Sequence, residues 1–399
     1  MGPGGWDPVN GTQWMGLGGR DPVSGIRSLR LDEPGHSRGQ SPEMPAAPQA
    51  PARIYVRLPN WVGDVVMCTP ALRALRRSAP QAEIIAEGKA FQRDMVMALD
   101  SVDGFIADPG RRPADLLRHG RLLAEERFDW AVLLGESERA AMPAFLARIP
   151  VRAGYGRGLL RRAMLTHRLR RPKGPGGEPL VFSMIERYSR VTRALGVPDD
   201  GSGMDLQVPE PARAAVETRL DAEGLGADAR LITVVVGAAF GSSKMWPPGH
   251  FAASCDALFE RHGWRAVLAP GPGEEALAEE VVALAKHPVL SIANPVLDLC
   301  ELAALLERSQ LVISNDTGPR SMAVALGLPV VVAVGPIADG HTRHHLKRQR
   351  VLMADVHCRP CNHPVCPTDH RCMTRITPEQ LVSAADELLE AEGPGQVRP

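Results

Sequence analysis

The sequence predicts an α/β protein made of two doubly wound domains, each a parallel sheet with helices on both faces. Three stretches carry that expectation. Residues 312–314 close an apolar run that ends in the small polar turn Asn315-Asp316-Thr317-Gly318-Pro319; an amphipathic segment continues to Gly327, and a β-branched run spans residues 330–334. Strand, tight turn, helix, strand is the unit that builds a parallel sheet, because parallel neighbours need a long crossover. A strand over residues 53–58 begins the same pattern at the front of the chain, and another over residues 231–236 restarts it in the second half. At 399 residues the chain is long enough for two full cores.

Composition excludes several classes. Lys+Arg equals Asp+Glu at 46 each, so bulk charge gives no reason to expect a nucleic-acid partner. No apolar run reaches the roughly 18 residues a membrane helix needs. The first residues lack the basic and then apolar pattern of a secretory leader. Seven cysteines, scattered except for one late cluster, fit a reducing cytoplasm.

In chain order, residues 1–52 are rich in Gly and Pro and poor in aliphatics, so they are expected to form a disordered extension, with Met44 as an alternative start. The first domain is expected over residues 53–205. Its strand runs into a loop, Pro59-Asn60-Trp61-Val62-Gly63-Asp64, then a helix to about Ser78 and a strand over residues 80–86. Such a loop lies on the ligand-binding edge of a parallel sheet, and Asp64 delivers a carboxylate there. An Asp at a helix start also serves as a simple cap, and the residue type alone does not separate the two roles. Residues 128–134 form a strand that ends at Gly135-Glu136-Ser137-Glu138-Arg139, and residues 150–155 form another. Residues 157–173 carry Arg157, Arg161, Arg162, Arg168, Arg170 and Arg171. The default for such a run is a solvated loop; the sharper alternative is a site for an anionic acceptor or an anionic membrane surface. A helix over residues 184–195 and a linker over residues 196–211 follow.

The second domain is expected over residues 206–392. After its first strand comes Gly237-Ala238-Ala239-Phe240-Gly241-Ser242-Ser243-Lys244. Small residues there let a ligand approach the backbone, and Lys244 supplies a point charge, although the Walker A spacing is absent. Helices are expected over residues 250–262, 274–285 and 298–308, with a strand over residues 265–269. The turn at Asp316, Thr317 and Gly318 offers backbone N–H groups and a hydroxyl to phosphate oxygens, or is an ordinary N-cap. Cys358, Cys361, Cys366 and Cys372, with His363 and His370, sit in one Pro-rich loop. Such a cluster is a candidate metal site, but its close spacing lacks the two separated knuckles of structural zinc, so reduced or partly bridged thiols packing a tail loop are the first expectation and metal the alternative. A helix over residues 377–392 closes the fold.

Four of these stretches, in this order, resemble the ADP-heptose:lipopolysaccharide heptosyltransferases of glycosyltransferase family 9: residues 58–67 with Trp61-Val62-Gly63-Asp64, residues 237–247, Ser314-Asn315-Asp316-Thr317-Gly318-Pro319, and the Cys358 to Met373 cluster. The resemblance covers about residues 53–390. It implies a GT-B fold, two Rossmann-like domains facing across a cleft, the first receiving the acceptor and the second the nucleotide sugar. It implies inverting transfer of heptose from ADP-heptose to a heptose on the Kdo–lipid A inner core, at the inner face of the inner membrane and without a cofactor or metal. On it, Asp64 is the general base and Lys244 stabilises the diphosphate. Ser242, Ser243, Lys244, Asp316, Thr317, Gly318, Pro319, Arg320 and Ser321 would hold the donor; Asn60, Trp61, Gly63, Ser137 and Arg139 would meet the acceptor.

The chain departs from the family pattern twice. Arg320-Ser321 stands where Met-His is usual, and Glu136-Ser137-Glu138-Arg139 where Asn-Ser-x-Arg is usual. The first bears on the donor, with Arg320 a candidate to neutralise its charge; the second puts an acid beside an anionic acceptor. The competing readings are a related transferase with another sugar or acceptor, and a non-catalytic nucleotide-sugar-binding protein on the same fold.

Overall fold

The computed structural model describes residues 49–392 except 111, 175, 178–179, 339 and 341–347. The expected disordered extension lies outside the described residues up to residue 48, as does Met44. Pro51 is already buried, and the Ala52 amide donates to Asp129 Oδ2 at 2.7 Å.

The first sheet contains β1 (Arg53–Arg57), β2 (Glu83–Gly88), β3 (Gly104–Ala107), β4 (Trp130–Leu133), β5 (Val151–Tyr155) and β6 (His167–Leu169). The second contains β7 (Leu231–Val235), β8 (Arg265–Leu268), β9 (Val289–Ser291), β10 (Leu311–Asn315), β11 (Val330–Ala333) and β12 (Gln349–Leu352). The orders are β3-β2-β1-β4-β5-β6 and β12-β11-β10-β7-β8-β9, all parallel. Counted from its own first strand, the second sheet repeats the order of the first. Each is a doubly wound sheet, so the fold is the expected α/β pair of Rossmann-like domains. The strand order reverses between β1 and β4 and again between β7 and β10. Loops leaving those strands diverge and open a crevice at the carboxyl edge. The central strands β1, β4, β7, β10 and β11 are buried almost throughout, which is why they read as continuous apolar runs.

The helices of the first half are α1 (Val62–Met67), α2 (Thr69–Ser78), α3 (Arg93–Met97), α4 (Pro113–Glu125), α5 (Glu138–Leu146), α6 (Leu159–Met164) and α7 (Met184–Arg193). Those of the second are α8 (Glu210–Ala222), α9 (Pro248–His262), α10 (Glu275–Leu284), α11 (Leu299–Arg308), α12 (Gly318–Ala325), α13 (Arg371–Thr374) and α14 (Pro378–Glu392). The single helix expected to run to Ser78 is two. It breaks at Cys68 because Pro70, just inside α2, has no N–H for a continuous ladder.

One reading of the chain changes. The arginine-rich stretch is not a solvated loop: it folds into α6 and β6. Arg161 within it is fully buried, donating to Tyr155 O and Gly135 O at 2.7 Å each and to Ser137 O. Arg157, Arg162, Arg168 and Arg170 remain exposed. The expected linker packs closely against the first domain. Met204, Leu206 and Val208 are buried, and the Asp205 amide donates to Thr69 Oγ1 at 2.8 Å.

Candidate active site

The predicted site residues leave the four strands that flank the two switch points. After β1, Trp61 caps the start of α1 and stands half exposed, and Asp64 occupies the first turn. Gly63 lets this helix start abut α12 of the other domain. A methyl on Gly63 would lie 3.2 Å from Ser321 Oγ and 3.4 Å from Gly318 Cα, and one on Gly318 would lie 2.9 Å from Val62 Cβ. Two glycines therefore set how closely the domains meet beneath the cleft.

The Asp64 carboxylate faces that cleft. Trp61, Gly63, Asp64 and Met67 line one wall; Ala239, Phe240, Lys244, Asp316, Thr317, Gly318 and Ser321 line the other, around a space of about 170 Å³. Burial raises the Asp64 pKa above the ordinary carboxylate value. Tyr188 Oη donating to Oδ1 at 2.9 Å, and the charges of Arg187 and Lys244, pull the other way; the Asp316 charge adds to the rise.

On the opposite wall Asp316 organises two cations. Its Oδ1 accepts from Arg320 Nη1 at 2.7 Å, and its Oδ2 and backbone carbonyl accept from Lys244 Nζ at 3.1 and 2.9 Å. Burial alone would push the Asp316 pKa up, but Lys244 and Arg320 outweigh it and hold it below the usual range. Lys244 also lies 5.3 Å from the centre of the Phe240 ring. Thr317 Oγ1 is buried and has no hydrogen-bond partner among the described residues, at the start of α12, whose Pro319 carries no N–H and where the Thr317 amide is taken by Asn315 O.

Several predicted donor contacts turn elsewhere. Arg320 is buried and bonds Gln349 Oε1 at 3.1 Å as well as Asp316, so its charge is spent inside the domain and does not line the cleft. The Ser243 hydroxyl donates to His363 O, and its amide to Pro364 O at 3.1 Å. Ser242 and Pro319 are not among the lining residues. The cysteine loop thus has a role the sequence did not reveal. Its backbone braces the turn carrying Lys244, with His370 Nε2 also bonding Ser243 O at 2.8 Å. Cys358, Cys361, Cys366 and Cys372 are free thiols, and among the described residues no group of metal-ligating side chains is placed to hold an ion.

The acceptor candidates divide. Trp61 and Gly63 line the cleft, whereas Asn60, Ser137 and Arg139 line a second hollow of about 220 Å³ in the first domain, together with Arg57, Glu87, Lys89 and Asp108. Ser137 also caps α5, and Arg139 donates to Gly110 O. Glu136 does not present a bare charge. Arg187 and Arg171 both pair with it, and although burial raises its pKa, they bring it below the ordinary value.

A family model described as glycosyltransferase family 9 (heptosyltransferase) matches residues 116–371, a span that holds Lys244, Asp316 and the cysteine loop short of Cys372 but begins after Asp64. Lipopolysaccharide heptosyltransferase 2 of Salmonella typhimurium is 27% identical over 357 residues, covering 86% of this chain and 99% of that protein. The solved structure of E. coli ADP-heptose LPS heptosyltransferase II matches with a TM-score of 0.71 at 25% identity, covering 85% of this chain and 99% of that one. The glycosyl transferase family 9 structure from Veillonella parvula matches with a TM-score of 0.73 at 24% identity, over 85% and 97%.

Proposed function

The chain belongs to glycosyltransferase family 9, and from that premise we propose that it moves heptose from ADP-heptose to a heptose already on the Kdo–lipid A inner core of lipopolysaccharide, with inversion at the anomeric carbon. One observation carries this reading: a carboxylate on the first domain and a lysine on the second, Asp64 and Lys244, line a single cleft. In the reaction the acceptor hydroxyl oxygen bonds to the anomeric carbon while the bond to the β-phosphate oxygen breaks. Asp64 takes the hydroxyl proton, and the electron pair leaves with ADP. A base is needed because the attacking oxygen becomes cationic unless its proton is removed as the bond forms. Asp64 suits the role, since burial makes it more basic than an exposed aspartate.

Leaving-group charge falls on the opposite wall. Lys244 presents its ammonium there, held in place by Asp316, and the Thr317 hydroxyl adds a neutral donor. Such a preorganised cradle stabilises a departing diphosphate without a metal. Asn60, Ser137 and Arg139 would receive the remoter part of the acceptor in the second hollow. A lipid-borne acceptor places the enzyme in the cytoplasm at the inner face of the inner membrane. The surface assigned to that contact is Leu159, 84% exposed, and Leu160, 52% exposed, beside the exposed Arg157 and Arg162. No helix among the described residues is long and apolar enough to cross a membrane.

Ser321 in place of the histidine usual in the family favours a second reading, a related transferase with a different sugar. Both are tested by incubating the pure protein with ADP-heptose and other nucleotide sugars over heptosylated Kdo–lipid A and measuring nucleoside diphosphate release. The expected result is release from ADP-heptose, lost in a folded Asp64→Asn variant. Release only from another nucleotide sugar would select the second reading. Near-normal turnover by Asp64→Asn would remove the base from the mechanism.

A further inference from the structure

We propose that Tyr188 is the positioning residue for the base: its hydroxyl holds Asp64 Oδ1 in place and leaves Oδ2 as the oxygen that takes the acceptor proton. The inference rests on the reading of Asp64 as general base and adds a residue to it.

The geometry is specific. Tyr188 lies on α7, is only 4% exposed, and donates to Asp64 Oδ1 at 2.9 Å. Its hydroxyl ends beside the cleft while its ring belongs to the main hydrophobic core. The helix that carries it is anchored on the N-terminal side of the tyrosine. Ser183 Oγ caps its start by accepting from the Ile185 amide at 3.2 Å. The neighbouring Arg187 pairs with Glu136, stacks 5.5 Å over the Tyr155 ring, and offers its carbonyl to Tyr155 Oη at 3.3 Å. A phenol on so fixed a helix restricts the Asp64 side chain to one rotamer, so the reacting oxygen is in place before substrate arrives. Glu136, which departs from the family pattern, thereby gains a part: it anchors the helix that aims the tyrosine.

The same bond sets how basic Asp64 is. The groups facing its carboxylate are Tyr188 and Arg187 from α7, Lys244 from the turn after β7, Asp316 from the turn after β10, and the buried Cys68 thiol at the end of its own helix. Of the two uncharged ones, Tyr188 donates to the carboxylate, whereas the Cys68 thiol donates to Val65 O. Burial and the neighbouring carboxylate push the Tyr188 hydroxyl well above its ordinary pKa, so it stays a proton donor throughout turnover. Its hydrogen bond favours the ionised form of Asp64 and opposes the upward push of burial on that carboxyl.

The test is Tyr188→Phe, which removes one oxygen and keeps the ring. The expected result is a fall in kcat of about 10-fold with KM for both substrates changed less than about 2-fold, and a shift of the acidic limb of the kcat–pH profile to higher pH by about one unit. Loss of packing alone does not move that limb. Tyr188→3,5-difluorotyrosine, a stronger donor of nearly the same shape, is expected to move it to lower pH and serves as the test where the phenylalanine variant folds poorly. An unmoved limb in either variant overturns the assignment. Asp64→Asn, assayed alongside, separates the two levels: if it is inactive and the Tyr188 variants keep the wild-type profile, only the positioning role fails. If it retains activity, the base itself is wrong and the positioning role falls with it.

Discussion

Replacing Asp316 with Asn keeps the shape of the side chain and removes its charge, which isolates what that carboxylate contributes. Its two oxygens serve Arg320 Nη1 at 2.7 Å and Lys244 Nζ at 3.1 Å, and side-chain exposure is 5% for Asp316, 4% for Arg320 and 14% for Lys244. Taking one partner from a buried ion pair costs about 3–5 kcal/mol, because the remaining charge stays in a medium of low dielectric. Lys244 can turn toward water in the cleft, and the amide oxygen of asparagine still accepts one bond, so the lower end applies, about 3 kcal/mol. For a chain of this size that corresponds to a Tm lower by about 4 °C. The folded pKa of Asp316 lies below its unfolded value. Its stabilisation is therefore complete above about pH 4 and is lost as pH falls through the lower folded value. Calorimetry of both proteins from pH 7 down to pH 3 is expected to show a constant gap in Tm near neutrality that closes below about pH 4. A gap under about 1 °C at pH 7, or one that persists unchanged into acid, would refute the view that this carboxylate binds the two cations together.

Arg161 and Arg162 are neighbours with opposite fates, and their alanine variants are expected to separate. Burial pushes the Arg161 pKa down to about 10, and its guanidinium serves three backbone carbonyls. Arg161→Ala is expected to cost about 3 kcal/mol, seen as a lower urea midpoint, whereas Arg162→Ala leaves the midpoint unchanged and weakens low-salt binding to anionic vesicles. Equal midpoints would refute the structural assignment of Arg161. Arg139→Ala is expected to raise the acceptor KM about 10-fold and leave the donor KM alone, from the loss of a charged hydrogen bond of about 1.5 kcal/mol. An effect on the donor instead would place the second hollow on the wrong substrate.

The chain order alone located both sheets and the loops that matter, because the strands around each switch point are buried on both faces and leave long apolar runs, as in residues 231–236 and 311–314. Asp64, Lys244 and the turn at Asp316 follow those runs directly, so their place on a ligand edge could be read without coordinates. Short edge strands such as β9 and β12, only partly buried, carry no comparable signal. Direction was not readable either. Ser243 and Arg320 have the right chemistry in the right loops, yet one satisfies a carbonyl of the cysteine loop and the other a buried carboxylate. Such demands come from groups far along the chain and must be met once water is excluded. Tyr188 shows this most plainly. In sequence it is one more apolar position on a helix, and only the packing of α7 brings its hydroxyl to a carboxylate 124 residues away. Local pattern decides where the chain turns; which side chain a buried charge meets there is decided by tertiary contact.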